Sequence, residues 1–326
     1  MAIELYKEKW ANKVNELILG ATKQEGGSRS FHLKVGGEST LPFLFDEGQM
    51  PNTPVVAQEI WDIEPVDWPQ TLREPFKDVL GNPVEWARKT VEKFSTNLIC
   101  LRLQGIHPDS GDKSPDTEVK ILKDILKAVN VPLIVSGCGD DTKDNLVIPI
   151  LSEATKGERI LFGDAVQDNY KTITAAVLAD GHNIIAESPI DINIAKQLNI
   201  LITDMGLSPE RIIINPTVGA LGYGLEYAYS IMERARLAAL AGDKMMAMPF
   251  ICFVGQEAWR AKEAKASVEE HPDWGPGLER GIIWEAITAT TFLQSGADIL
   301  VMRHPEAIKK VKETIEELMK SNQPRM

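Results

Sequence analysis

The feature that most constrains this chain is an alternation repeated along most of its length: a short apolar run rich in β-branched residues, a turn, then a segment with helical spacing. That is the pattern of βα units. Eight runs read as strands: Val55–Asp62, Asn97–Gln104, Pro132–Gly137, Arg159–Gly163, Asn183–Ser188, Arg211–Asn215, Pro249–Val254 and Ala297–Arg303. Some, such as Ile212-Ile213-Ile214, are apolar without alternation, as expected of parallel strands covered by helices on one face and a packed interior on the other. The intervening segments carry helical stripes. Val119, Leu122, Ile125 and Val129 form one, opened by Ser114-Pro115-Asp116, and Ile308, Val311, Ile315 and Leu318 form another. Asp191 is placed to cap a helix that Gly206 terminates. No early strand carries a dinucleotide fingerprint, so eight units favour a closed (β/α)8 TIM barrel over an open sheet. Residues 51–326 are assigned to the barrel and 1–50 to an N-terminal extension. Within the extension, Glu16–Ala21 and Ser30–Val35, split by Gly26-Gly27, predict a β-hairpin suited to plug the barrel's bottom.

Composition narrows the function. Among 326 residues, 35 Lys+Arg face 47 Asp+Glu, a net charge of −12 that is no footprint for nucleic acid or an anionic membrane. The three cysteines, Cys100, Cys138 and Cys252, show no C-x-x-C spacing, which excludes a disulfide framework and an iron–sulfur cluster held by this chain alone. Glu4, Lys7, Glu8 and Lys9 stand where a signal peptide would have its apolar core, so a cytoplasmic, reducing compartment is expected.

In such a barrel, chemistry is expected at the C-terminal ends of the strands. Two loops there are long: Ile63 to Asn82, with Trp68 and Phe76 among three prolines, and Gly255 to Leu278, with Trp259, His271 and Trp274. They suit a broad contact with a large cofactor or a protein; alternatively their tryptophans anchor the loops themselves. Gly219-Ala220-Leu221-Gly222-Tyr223-Gly224 reads either as a cradle for an amide or phosphate or as a tight βα turn. Ser136-Gly137-Cys138-Gly139-Asp140 is similar, with Cys138 better read as a structural thiol. Polar residues at strand ends include Glu59, Asp62, Gln104, Asp164, Ser188, Asn193, Asn215, Gln256 and Arg303-His304. They suit hydrogen bonding to a heterocycle or a propionamide, or the capping of the following helices. No H-E-x-x-H or G-x-S-x-G motif and no strand-end lysine for a Schiff base is present, which weakens an aldolase-like reading. Asp180-Gly181-His182 matches only the first half of the D-x-H-x-x-G run that supplies histidine to cobalt, and it precedes its strand, on the wrong face of the barrel.

Five stretches, in order, carry a family resemblance: Gly20-Ala21-Thr22-Lys23 with Gly26 to Ser30; Ser188-Pro189-Ile190-Asp191 through Asn199; Gly219 through Tyr227; Glu257-Ala258-Trp259-Arg260-Ala261-Lys262-Glu263; and Arg303-His304-Pro305-Glu306-Ala307. Together they resemble the small (delta) subunit of the corrinoid iron–sulfur protein of the CO dehydrogenase/acetyl-CoA synthase system. The resemblance implies a barrel paired with a larger subunit that holds the [4Fe–4S] cluster and the main corrinoid domain. It also implies that the pair carries a methyl group from methyltetrahydrofolate, through a methyltransferase, to acetyl-CoA synthase in the reductive acetyl-CoA pathway of anaerobes. No catalytic or metal-ligating residue is then expected in this chain. By topology, Gly137, Cys138, Asp164, Asn193, Thr217, Gly222, Tyr223, Arg303 and His304 are the expected lining of the shared corrinoid site. The alternative is a stand-alone pterin-binding methyltransferase of the same barrel type.

Overall fold

A computed structural model describes residues 6–320; residues 1–5, with Glu4 of the charged N-terminal stretch, and residues 321–326 lie outside it. The chain opens with a hairpin of two antiparallel strands, β1 (Glu16–Leu19) and β2 (Leu33–Gly36). Eight parallel strands follow: β3 (Val55–Trp61), β4 (Ile99–Arg102), β5 (Leu133–Ser136), β6 (Leu161–Ala165), β7 (Asn183–Glu187), β8 (Ile212–Asn215), β9 (Phe250–Cys252) and β10 (Ala297–Met302). They close in sequence order, β10 pairing with β3. Each lies within a predicted run or, for β6, is displaced by two residues toward its C-terminal end.

The outer layer holds α1 (Gln70–Arg73), α2 (Pro83–Phe94), α3 (Pro115–Ala128), α4 (Asp141–Ala154), α5 (Tyr170–Asp180), α6 (Ile192–Asp204), α7 (Leu225–Leu240), α8 (Val254–Ala258), α9 (Lys262–Lys265), α10 (Gly277–Gln294) and α11 (Pro305–Lys320). Their ends follow from local chemistry. The Ser114, Asp140 and Asp191 side chains accept from first-turn amides of α3, α4 and α6, so Asp140 and Asp191 are caps. No helix among the described residues is long and apolar enough to cross a membrane.

The barrel interior is stacked in three levels. At the bottom, Leu17, Leu19 and Val35 of the hairpin pack against the inward side chains of the strands. The middle level is apolar, with Ala57, Cys100, Ile134, Leu161, Ile185, Ile213, Ile251 and Ile299 among its members. The hairpin thus closes the end of a core that would otherwise meet water.

Buried charges fasten it there. Arg29, 3% exposed, donates through Nη1 to the carbonyls of Val129 (2.7 Å) and Val131 (3.2 Å), and through Nη2 to that of Leu126 (2.6 Å), while its Nε meets Glu158 at 3.1 Å. A guanidinium at the C-terminus of α3 satisfies carbonyls the helix leaves unpaired. Arg236 of α7 binds Asp298 at 3.0 Å and lies 3.8 Å from Glu38 of the extension. Arg29→Met should cost about 3 kcal/mol, because Glu158 and three carbonyls lose a charged donor. Urea denaturation checks this, and an unchanged midpoint would remove Arg29 as the tether.

Candidate functional site

The third level of the interior is polar but for one phenylalanine, and all eight strands contribute to it. In chain order the side chains facing inward at the C-terminal ends are Glu59, Arg102, Ser136, Asp164, Glu187, Asn215, Phe253 and Arg303. For seven of them this is the alternation of each strand continued upward from its apolar member. In β6 the register shifts between Phe162 and Ala165, and Asp164 takes the inward place. Gly163 is required beneath it, since a Cβ there would lie 2.6 Å from that of Ile185. The ring floors an open cavity of about 920 Å³, walled by the loops after β3 and β9.

One side of the ring is cationic and aromatic. Glu59, fully buried, accepts on Oε1 from Arg303 Nη2 (2.8 Å) and Trp61 Nε1 (2.6 Å), and Arg102 Nε lies 3.5 Å away. Burial would raise its pKa, but the Arg303 and Arg102 charges outweigh burial and hold it below the usual carboxylate range. Arg303 also packs over Trp68, 4.8 Å from the ring centre, and over Trp61 at 5.5 Å, while Arg102 packs over Phe253 at 5.3 Å. Trp68 is thus both a loop anchor, edge-on to Trp61 and Trp86, and a lining surface.

The other side is a row of acceptors. Asp164 Oδ2 accepts from Ser136 Oγ at 2.8 Å, and its buried Oδ1 has no protein partner. Burial, then the nearby Glu59 charge, raises its pKa against the pull of Arg102. Glu187 is pushed up to about 8, by burial first and by Asp164 second. Three carboxylates thus share a floor with two guanidiniums, and the Asp164 charge is one cause of the raised Glu187 pKa. Asn215 Oδ1 accepts from the Thr217 amide at 3.1 Å, and Thr217 Oγ1 donates to the Ser188 carbonyl at 2.6 Å.

Of the residues singled out from sequence, Cys138, Asp164, Thr217 and Arg303 line this cavity together. Gly137 lies just behind it; its carbonyl accepts from Arg102 Nη1 at 3.4 Å, and its missing Cβ leaves room for the Asp144 carboxylate, which accepts the Cys138 and Gly139 amides at 2.9 and 3.2 Å. Burial pushes the Cys138 thiol up to about 12, so it is a neutral wall group. His304 is buried beside Arg303, stacks on Trp259 with ring centres 5.9 Å apart, and accepts the Glu306 amide on Nδ1 at 3.2 Å; burial holds it down to about 4. Asn193, in the first turn of α6, is exposed away from the cavity wall. Gly222 and Tyr223 are likewise outside it: the glycine-rich segment folds on itself as a turn into α7, and Tyr223 Oη donates to Glu263 at 2.9 Å. His182, buried between the Ile160 amide and the Ser152 carbonyl, is a brace at the opposite end.

Sequence reasoning passed over Arg102, Glu187 and Glu285. Glu285 of α10 accepts the Arg303 amide (2.5 Å), the His304 amide (3.0 Å) and Trp259 Nε1 (2.8 Å), locking the end of β10 to α8. For Arg102 and Glu187 a signal existed: a lone charge closing an apolar strand, in phase with the inward positions.

A profile of the CO dehydrogenase/acetyl-CoA synthase delta subunit matches residues 16–317. The acetyl-CoA decarbonylase/synthase complex subunit delta of Archaeoglobus fulgidus is 38% identical over 320 residues, covering 97% of this chain and 70% of that one. The corresponding subunit of Methanopyrus kandleri is 39% identical over 304 residues, 93% and 74% of the two chains. Among solved structures, dihydropteroate synthases share the fold: that of Xanthomonas albilineans has a TM-score of 0.56 at 13% identity over 85% of this chain and 96% of its own. The Coxiella burnetii enzyme scores 0.55 at 14% identity over 87% and 99%. At that identity the likeness speaks for the barrel alone, whereas the profile and the archaeal relatives span almost the whole molecule. The chain belongs to the delta-subunit family of the CO dehydrogenase/acetyl-CoA synthase complex.

Proposed function

We propose that this subunit forms one wall of a corrinoid methyl carrier, its barrel mouth set against a macrocycle whose main binding domain and [4Fe–4S] cluster reside on a larger partner. The observation that carries this reading is the composition of the mouth: a cavity of about 920 Å³ whose floor, Phe253 apart, is polar side chains, several of them ion-paired or hydrogen-bonded, with a few buried polar atoms left over. Those leftover atoms are Glu59 Oε2, Asp164 Oδ1, Ser188 Oγ and the Nε of Arg102 and Arg303. Three of them, Asp164 Oδ1 and the Nε atoms of Arg102 and Arg303, belong to residues that line the cavity, an acceptor beside donors, which suits the carboxamides on a corrin rim, since each amide is both donor and acceptor. Cys138, Asp164, Thr217 and Arg303, with Arg102 and Asn215, are the residues that would meet it; Gly137 and His304 back them, and Asn193, Gly222 and Tyr223 belong to the outer rim. When bound, the corrinoid supplies the cobalt that carries the methyl group between a methyltetrahydrofolate methyltransferase and acetyl-CoA synthase.

The chain's own contribution is rigidity and dryness. A floor locked by Glu59 and Glu285 does not reorganise as the cargo changes, and the Trp61–Trp68 face excludes water from it. The absorption spectrum tests the reading. The native complex should show corrinoid and cluster bands, and the chain expressed alone should show neither. A second reading, a stand-alone pterin-binding methyltransferase, draws on the unpartnered Asp164 Oδ1 beside Asn215, which also suits the N–H edge of a pterin. Binding of methyltetrahydrofolate by the isolated chain would favour it and overturn the first.

A further inference from the structure

A second hollow, of about 610 Å³, opens at the opposite end of the barrel, where the hairpin meets the start of β3 and the C-terminal half of α11. That is the volume of a small-molecule site. Leu33, Pro51, Pro54 and Ile315 give it apolar walls, and Asn97, which also lines it, has a buried Oδ1 with no hydrogen-bond partner. The charged groups of its lining are Lys34 of β2, Lys312 and Glu316 of α11, and the exposed His32. Two ammoniums and an imidazole thus stand against one carboxylate, in a molecule whose net charge is −12.

Lys312 gives the hollow its chemistry. Its ammonium is half-buried, and its hydrogen bond is to the Ser95 carbonyl at 3.1 Å, at the end of α2. Among the described residues neither Lys312 nor Lys34 forms an ion pair, and burial alone lowers the Lys312 pKa, with no carboxylate opposing it. A cation taken partly out of water without a counter-ion is costly, and an anion in the hollow would offset that cost. The neighbouring elements do not supply one. Glu25 is held by Thr22, Arg159 and His32, and Glu16, Glu92, Glu313 and Glu317 on the flanking segments are matched by Lys13, Lys93, Lys309 and Lys320. Glu316 is exposed, where water screens it. We propose that this hollow binds an organic phosphate of nucleotide size, its phosphate on Lys34 and Lys312 and its ring between the proline and aliphatic walls, with an N–H edge on Asn97 Oδ1. Because the lining joins the hairpin to β3 and α11, the bound ligand holds the plug against the barrel and stabilises the folded chain by mass action. The hollow shares no residue with the barrel mouth, so the two sites are tested separately.

Isothermal titration of the purified full chain, with ADP and separately with inorganic phosphate, tests this. ADP should bind at one site, weaken as salt rises and raise the melting temperature. It should bind at least about tenfold tighter than phosphate, which leaves the apolar walls empty. Lys312→Met keeps the buried stem and removes the charge, so it should weaken ADP binding at least about tenfold. Thr53→Glu, which sets a carboxylate on an exposed position of the lining, should abolish it, and Lys123→Met, at an exposed lysine of α3, should change nothing. Circular dichroism shows whether each variant is folded, and hydrogen exchange of the unaltered chain with ADP should show protection of β2 and of the segment before β3. ADP that does not bind, or that binds the Lys312→Met and Thr53→Glu variants as it binds the natural chain, overturns the proposal. Phosphate that binds as tightly as ADP overturns it as well, since the hollow then holds an adventitious ion only.

Discussion

Replacing Glu59 by alanine is expected to lower the unfolding free energy by about 3–5 kcal/mol. Two buried guanidiniums, those of Arg303 and Arg102, depend on this one carboxylate, and Trp61 Nε1 loses its acceptor as well. Burying an ion pair gains little over an apolar core, but removing one partner leaves the other charge stranded in low dielectric; here Arg303 is stranded and Arg102 keeps only the more distant Asp164 and Glu187. Glu59→Gln keeps the shape and one acceptor while removing the charge, so it should fall between alanine and the natural residue. Urea denaturation measures both. If the alanine variant loses less than about 1 kcal/mol, the ring is not the rigid floor described above and water reaches both arginines.

The second large effect is a decline of stability with rising pH. Glu187 and Glu118 are pushed up to about 8 and Glu285 to about 7, in each case chiefly by burial, and Glu38 is raised well above its ordinary value for the same reason. A carboxyl with a raised pKa binds its proton in the folded chain while the unfolded chain has released it. Stability from these groups is therefore complete below the ordinary carboxylate range and is lost as pH climbs toward 8. Two histidines act in the opposite sense at lower pH. His304, held down to about 4, and His182, also lowered by burial, stay neutral when folded and favour the unfolded chain below pH ~6.5. The unfolding free energy should thus drop by roughly 3–6 kcal/mol between pH 6 and pH 8.5. Glu187→Gln should flatten the decline and be more stable than the natural chain at pH 8.5. A profile that is level or rises over this interval would show that the acids at the barrel mouth are solvated.

How much of this could be read beforehand depends on which interactions are local. Eight strand runs, the hairpin, the Ser114 helix opening and the Asp191 cap are set by residues within a few positions of one another, where side-chain period and capping chemistry leave few choices. Arg303, Asp164, Thr217 and Cys138 could be placed near the mouth because a barrel strand's C-terminal end faces it whatever the neighbours are. The glycine-rich run of Gly219 to Gly224 illustrates the limit. Its composition allows both a ligand cradle and a closed turn, and the backbone around it decides, since a Cβ at Gly219 would lie 2.5 Å from the Tyr223 carbonyl oxygen.

By itself, then, the sequence determined a closed βα barrel over a hairpin, the helices that cover it, and the family that its ordered motifs resemble. Tertiary structure alone decided the pairing of Glu59 with Arg303 across 244 positions, the clamp of Glu285 on the end of β10, and the burial that raises Glu187. It also decided that Ile283 and Ile287 of α10 face water. The physical reason is that hydrophobic period is written along one element, whereas the partner of a buried charge, and the exposure of an apolar side chain, depend on elements brought together only when the barrel closes.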